Sequence, residues 1–177
     1  MKFSPLALIT AAATLIAGCA GPRVDSYRDE QPVLDLMEYF DGEIEARGMF
    51  QDRSGQVIKR FNVAIKGSWT GNVGTLEEDF VYSDGTTERR VWTITKIDEH
   101  NYTGTAGDVI GEAKGEAFGN ALRWRYVLAL DVDGTTWHMD LDDWMFLVDD
   151  KVMLNRSEMR KFGFRVGEVT LSFRKKD

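Results

Sequence analysis

The sequence predicts an all-β fold, an antiparallel up-and-down β-barrel of about 8–10 strands, and three observations lead there. No proline follows Pro32, and Gly, Asp and Asn recur about every 10 to 15 residues, which is turn spacing. The stretch "QVIKRFNVAIKGSW" alternates, with Val57, Phe61, Val63, Ile65 and Trp69 on one face and Arg60, Asn62, Lys66 and Ser68 on the other. Turns fall at "RSGQ", "TGNVG", "SDGT", "DEHN", "GDVIG", "FGN", "VDGT" and "VDDK". Connections this short make neighbouring strands antiparallel, and a long meander of them tends to close. A two-sheet sandwich of the same strands is the alternative that spacing leaves open.

The barrel occupies residues 38–177, and what precedes it reads differently. Lys2 and an uncharged run, "PLALITAAATLIAG", lead to Cys19, the one cysteine of the chain. The run is shorter than the ~20 residues a spanning helix needs, and fits a secretory signal instead. The tetrapeptide Ile16-Ala17-Gly18-Cys19 resembles a bacterial lipobox. Residues 1–18 are therefore expected to be a lipoprotein signal peptide, with Cys19 as the lipid attachment site. A cysteine without a partner in the chain forms no internal disulfide. Two or three acyl chains hold a protein on a membrane where one would not. Ala20 follows the cysteine, where an aspartate would resemble an inner-membrane retention signal. The expected location is the outer membrane, facing the periplasm. Residues 19–37, with Pro22 and Pro32 among charges, read as a flexible tether, with one helical turn at "VLDLMEYF". About 140 residues remain, enough for a single domain with a sizeable core. The net charge of −7 argues against nucleic acid as a partner.

Two hairpins set their own register. In "LALDVDGTTWHMDLDDW", a two-residue Asp133-Gly134 loop pairs Val132 with Thr135, Leu130 with Trp137, Leu128 with Met139 and Tyr126 with Leu141. The opposite face then sets Arg125 across from Asp142, a structural ion pair. In "TLEEDFVYSDGTTERRVWTI", a three-residue loop with Gly85 left-handed pairs Leu76 with Trp92 and Glu78 with Arg90. That register places a charged pair on the apolar side of the sheet. Such a pair is either mutually satisfied or faces a wet cavity.

Catalytic and metal signatures are weak. His100 lies in a turn and His138 opposite Ala129, with no second nitrogen or sulfur ligand nearby, so no metal site and no cofactor are expected. No Gly-x-Ser-x-Gly occurs. The glycines of "GDVIGEAKGEAFGN" lead into no helix, which suits strand kinks and close packing better than a phosphate loop. "DLDDWMFL" sets Asp143 on the face of Leu141, after which the apolar phase moves to Trp144 and Phe146, implying a bulge. "LNRSEM" places Arg156 on the face of Val152 and Leu154, where a guanidinium suits a fatty-acid or phospholipid head group.

The segments "RRVWTI", "YTGTAGDVIGEAKGEAFGNALRWRY", "DDWMFL", "NRSEM" and "KFGFRVGEVTLSF" resemble, in order, those of a bacterial lipoprotein family known as domain of unknown function 3833. The resemblance spans residues 40–173. It implies a calycin-like barrel of the lipocalin class, which holds apolar ligands, and a link to enzymes that modify lipids. It brings no catalytic residues. The expected role is a membrane-anchored barrel that binds or presents a lipid- or fatty-acid-like ligand. Candidate ligand-binding residues are Glu78, Arg90, Trp92, Trp124, Tyr126, Trp137, Asp143 and Arg156. The alternatives are a solid-cored assembly lipoprotein and an envelope-lipid enzyme using Asp142 and Asp143.

Overall fold

A computed structural model describes residues 21–132 and 134–176, and Cys19 with its signal segment lies outside them. Ten antiparallel strands follow one another around a closed barrel: β1 (Gly42–Asp52), β2 (Val57–Thr70), β3 (Val73–Tyr82), β4 (Thr87–Lys96), β5 (Asn101–Thr105), β6 (Val109–Phe118), β7 (Ala121–Val132), β8 (Thr135–Leu147), β9 (Val152–Lys161) and β10 (Phe164–Lys175). β1 closes on β10 from Ile44 opposite Lys175 to Asp52 opposite Gly167. The fold is therefore the expected up-and-down, lipocalin-like barrel, and the sandwich is excluded by closure.

Alternation sets the inside of each wall. On β2, Phe61, Val63 and Ile65 are buried and Asn62, Ala64 and Lys66 are exposed. Both hairpin registers hold. Leu76 pairs with Trp92 and Glu78 with Arg90 across β3 and β4, and Gly85 takes φ 84° in the three-residue loop. Leu130 pairs with Trp137 and Tyr126 with Leu141 across β7 and β8.

Three expectations about facing are corrected. β8 pairs with β7 without interruption from Thr135 to Phe146, so the bulge near Asp142 does not occur. Trp144 and Phe146 are on the outer wall, where Tyr27 meets their rings edge-on at 6.1 and 5.1 Å. On β9 the inward residues are Met153, Asn155, Ser157 and Met159, so Arg156 points outward. Both faces of that strand carry apolar residues, so its alternation alone does not say which face is inside.

Residues 24–40, most of which the sequence reading placed in the tether, pack on the barrel. A 3-10 turn, Val24–Tyr27, lies against the outer wall, and the short helix α1 (Leu36–Tyr39) covers one end. The Asp35 carboxylate caps α1 by accepting from the Met37 N–H at 2.8 Å, and Lys96 reaches its other oxygen at 2.6 Å. The Tyr39 hydroxyl donates to the Lys151 carbonyl at 3.1 Å, and Phe40 meets Phe173 edge-on at 6.0 Å. Gly67 makes this approach feasible, because a Cβ there would overlap the Phe40 carbonyl. Above α1, Ile44, Val63, Ile65, Leu122 and Met153 are buried to 3% exposure or less. Each is worth ~1.5–3 kcal/mol, and together they seal that end against water.

Candidate functional site

The opposite end of the barrel, where the β1–β2, β3–β4, β5–β6 and β7–β8 connections lie, is not filled. A cavity of about 840 Å³ runs from Leu36 and Phe40 at the closed end to the exposed Thr86, Glu88 and Asp131 at the other. Its walls are mainly apolar: Phe61, Phe80, Trp92, Trp124, Leu128 and Val169 among others. That volume lies within the range of small-molecule sites and far above what a few trapped waters need.

Glycines keep the space open. A Cβ at Gly104 would stand 2.7 Å from the Trp124 indole, and one at Gly115 would overlap it. With hydrogens in those places the indole lies flat on β5 and β6 instead of projecting across the lumen. Trp124 and Tyr126 both meet Trp92 edge-on, at 5.8 and 5.4 Å, which spans the wall from β4 to β7.

A polar group sits on this apolar wall. Arg90, 17% exposed, donates from Nε and Nη2 to the Asp108 carboxylate at 2.9 and 2.6 Å, and its Nη1 lies 4.0 Å from Glu78. Among the described residues Glu78 has that ion contact and no hydrogen bond. Asp143, 6% exposed, accepts a short hydrogen bond from the Ser157 hydroxyl and a long one, 3.4 Å, from Tyr126. Burial pushes Glu78 up to about 7, against the pull of Arg90 and with a push from Asp108, Glu88 and Asp143. Burial also pushes Asp143 up to about 7, although Ser157 and Tyr126 favour its ionised form. The Tyr126 hydroxyl is driven well above its ordinary value by burial and by Asp143.

The structure brings Glu78, Arg90, Trp92, Trp124, Tyr126 and Asp143 together on the cavity wall. Two candidates do not join them. Trp137 is 39% exposed and stacks under Lys161 at 5.2 Å, outside the lining. Arg156 is 68% exposed and donates to Glu168 at 2.9 Å on the outer wall. The expected Arg125–Asp142 pair is corrected too. The two residues are cross-strand neighbours, but Arg123 holds Asp142 through two bonds of 2.7 and 2.6 Å and lies over Trp144. A twisted pair of strands brings the diagonal neighbour within reach of a long side chain, and the Trp144 ring supports it there. Asp142 and Asp143 thus face opposite sides of one strand and cannot act on one bond.

Asp108, Asn155 and Ser157 were missed by the sequence reading. Asp108 sits in a turn and carries no periodic signal, and the two β9 residues follow from the phase of Met153 and Met159. His100 is half-buried, with Nδ1 2.9 Å from the Ala117 carbonyl oxygen and its ring stacked on Phe118. Among the described residues no three His, Cys, Asp or Glu side chains are grouped to hold a metal ion.

The chain matches the family described as protein of unknown function (DUF3833) over residues 13–175. It belongs to that family. The S-type phycobiliprotein lyase CPES from Guillardia theta has a similar fold, with TM-score 0.60 at 10% identity over 88% of this chain and 99% of that one. A protein of unknown function from the DUF3598 family of Nostoc punctiforme PCC 73102 gives TM-score 0.58 at 13% identity, over 89% of this chain and 53% of that one. No curated protein matches the sequence.

Proposed function

We propose that this DUF3833 member binds an apolar, lipid-like molecule inside its barrel, and that a lipid on Cys19 holds it at the periplasmic face of the outer membrane. The observation that carries the binding role is the cavity of about 840 Å³ with its mainly apolar wall. An unfilled core of this size forfeits packing that a solid barrel would gain, and the loss is offset only when a ligand enters. A solid-cored assembly protein has no use for it. An enzyme built on Asp142 and Asp143 lacks the geometry, since Asp142 is bound to Arg123 on the outer wall.

The binding test uses N-phenyl-1-naphthylamine, a neutral apolar dye whose emission rises in dry pockets. Emission is expected to saturate at one dye per chain, and Met145→Trp, which fills the lumen, should abolish the rise. Unchanged emission in that variant places the dye elsewhere and removes the reading. For the anchor, radiolabelled palmitate should enter the full chain in cells and fail to enter Cys19→Ser.

A further inference from the structure

Five carboxylates line or border the cavity beside one guanidinium. Glu78 on β3, Glu88 on β4, Asp108 between β5 and β6, Asp131 on β7 and Asp143 on β8 all lie on its wall with Arg90. Arg90 is already engaged: both nitrogens on one edge of its fork meet Asp108, and Glu78 stands 4.0 Å from the remaining one. Lys59, at the mouth, pairs with Asp84 at 2.9 Å. An incoming anion therefore finds each of these cations taken and several like charges beside it. The acceptors are the groups left over. Glu78 has no hydrogen bond among the described residues, and the Asp143 oxygen nearer Tyr126 has only a 3.4 Å contact. The Glu78 side chain is 12% exposed and Asp143 6%, and both line the mainly apolar cavity, so a donor that meets them does so largely out of water, where charge-assisted hydrogen bonds are strong.

Resting on the binding role above, we propose that the ligand is a cationic amphipath, an alkyl chain bearing a primary ammonium or similar nitrogen donor, whose head is taken by Glu78 and Asp143. An alkyl carboxylate of equal length is rejected. The apolar part extends toward Phe40, Leu76 and Leu122 at the closed end, where these lining side chains carry no charge.

Burial keeps part of Glu78 and Asp143 protonated near neutrality. A cation binds their ionised forms, so its arrival displaces protons and its affinity rises with pH from 6 to 8. The charged groups that act on the pair are Arg90, Glu88 and Asp108 on the cavity wall and Asp142 from the outer wall.

The test titrates the intact folded protein with dodecylammonium, dodecanol and laurate, each below its micelle concentration, following the emission of Trp92 and Trp124 and the heat. Dodecylammonium should bind at least about tenfold more tightly than dodecanol, and laurate more weakly than either. From pH 6 to 8 the ammonium affinity should rise about tenfold or more, with the dodecanol affinity flat. Glu78→Gln with Asp143→Asn should erase the preference for ammonium over dodecanol. Laurate binding as tightly as ammonium overturns the head-group assignment, and so does an ammonium affinity unchanged in the double variant, which identifies adsorption to the acidic surface. Dodecanol binding alone overturns the head group and spares the cavity role. Failure of all three probes removes both.

Discussion

Glu78 is a carboxylate that the fold tolerates at a cost, and Glu78→Gln measures it. Its pKa stands at about 7 in the barrel against an ordinary glutamate value of 4.5. A carboxyl whose folded value lies above its unfolded value keeps a proton in the fold that the unfolded chain has released. Stability therefore falls as pH rises from about 4.5 to about 7 and stays reduced above that. The window spans about 2.5 pH units, and at ~1.36 kcal/mol per unit the full cost is about 3 kcal/mol. Glutamine imitates the protonated side chain, and Arg90 keeps Asp108 as its partner. The variant should thus exceed the parent by about 3 kcal/mol at pH 8, or roughly 6–12 °C in melting temperature, and match it at pH 4.5. Urea unfolding followed by tryptophan emission at both pH values decides. Carboxylates held low, such as Asp52 by Ser54 and Glu168 by Arg156, act in the opposite direction as pH falls. They act equally in both proteins and cancel in the difference. A variant less stable than its parent at pH 8 refutes the argument and makes the Glu78–Arg90 contact a net stabiliser, and a gain of equal size at pH 4.5 refutes it by removing ionisation as the cause.

Phe162 has φ 51°, a left-handed value costly for a bulky residue, and is 82% exposed, so Phe162→Asn should raise the unfolding free energy by about 1 kcal/mol, read as a higher urea midpoint with an unchanged m-value. Gly115→Ala places a methyl group in the Trp124 ring and should cost ~1–3 kcal/mol in urea unfolding, with a shifted emission maximum as the indole moves into the lumen. Arg123→Ala should show a coupling of ~0.2–1 kcal/mol with Asp142→Ala in a double-mutant cycle, whereas Arg125→Ala should show none.

Much of the fold is legible in the chain because its causes are local. The alternation of "FNVAIKG" and the Asp-Gly turns fix which β2 residues are buried and how β3 meets β4 and β7 meets β8. The candidate site was half legible for the same reason. Glu78, Arg90, Trp92 and Tyr126 fall on the lumen side once two hairpins are in register. Arg156 and the supposed bulge at Asp142 failed where apolar residues occupy both faces: Val152 and Leu154 outside against Met153 and Met159 inside, and Trp144 and Phe146 outside because Tyr27 covers them.

The sequence by itself determined the strands, their antiparallel order and two cross-strand registers, since a period of two and the backbone demands of a tight turn act over a few residues. Only the closed barrel decided that Glu78 and Asp143 share one wall, that Arg90 answers to Asp108, that Arg123 and not Arg125 takes Asp142, and that a lumen of about 840 Å³ remains. Those outcomes depend on circumference, twist and the reach of long side chains, which no neighbouring residues along the chain specify.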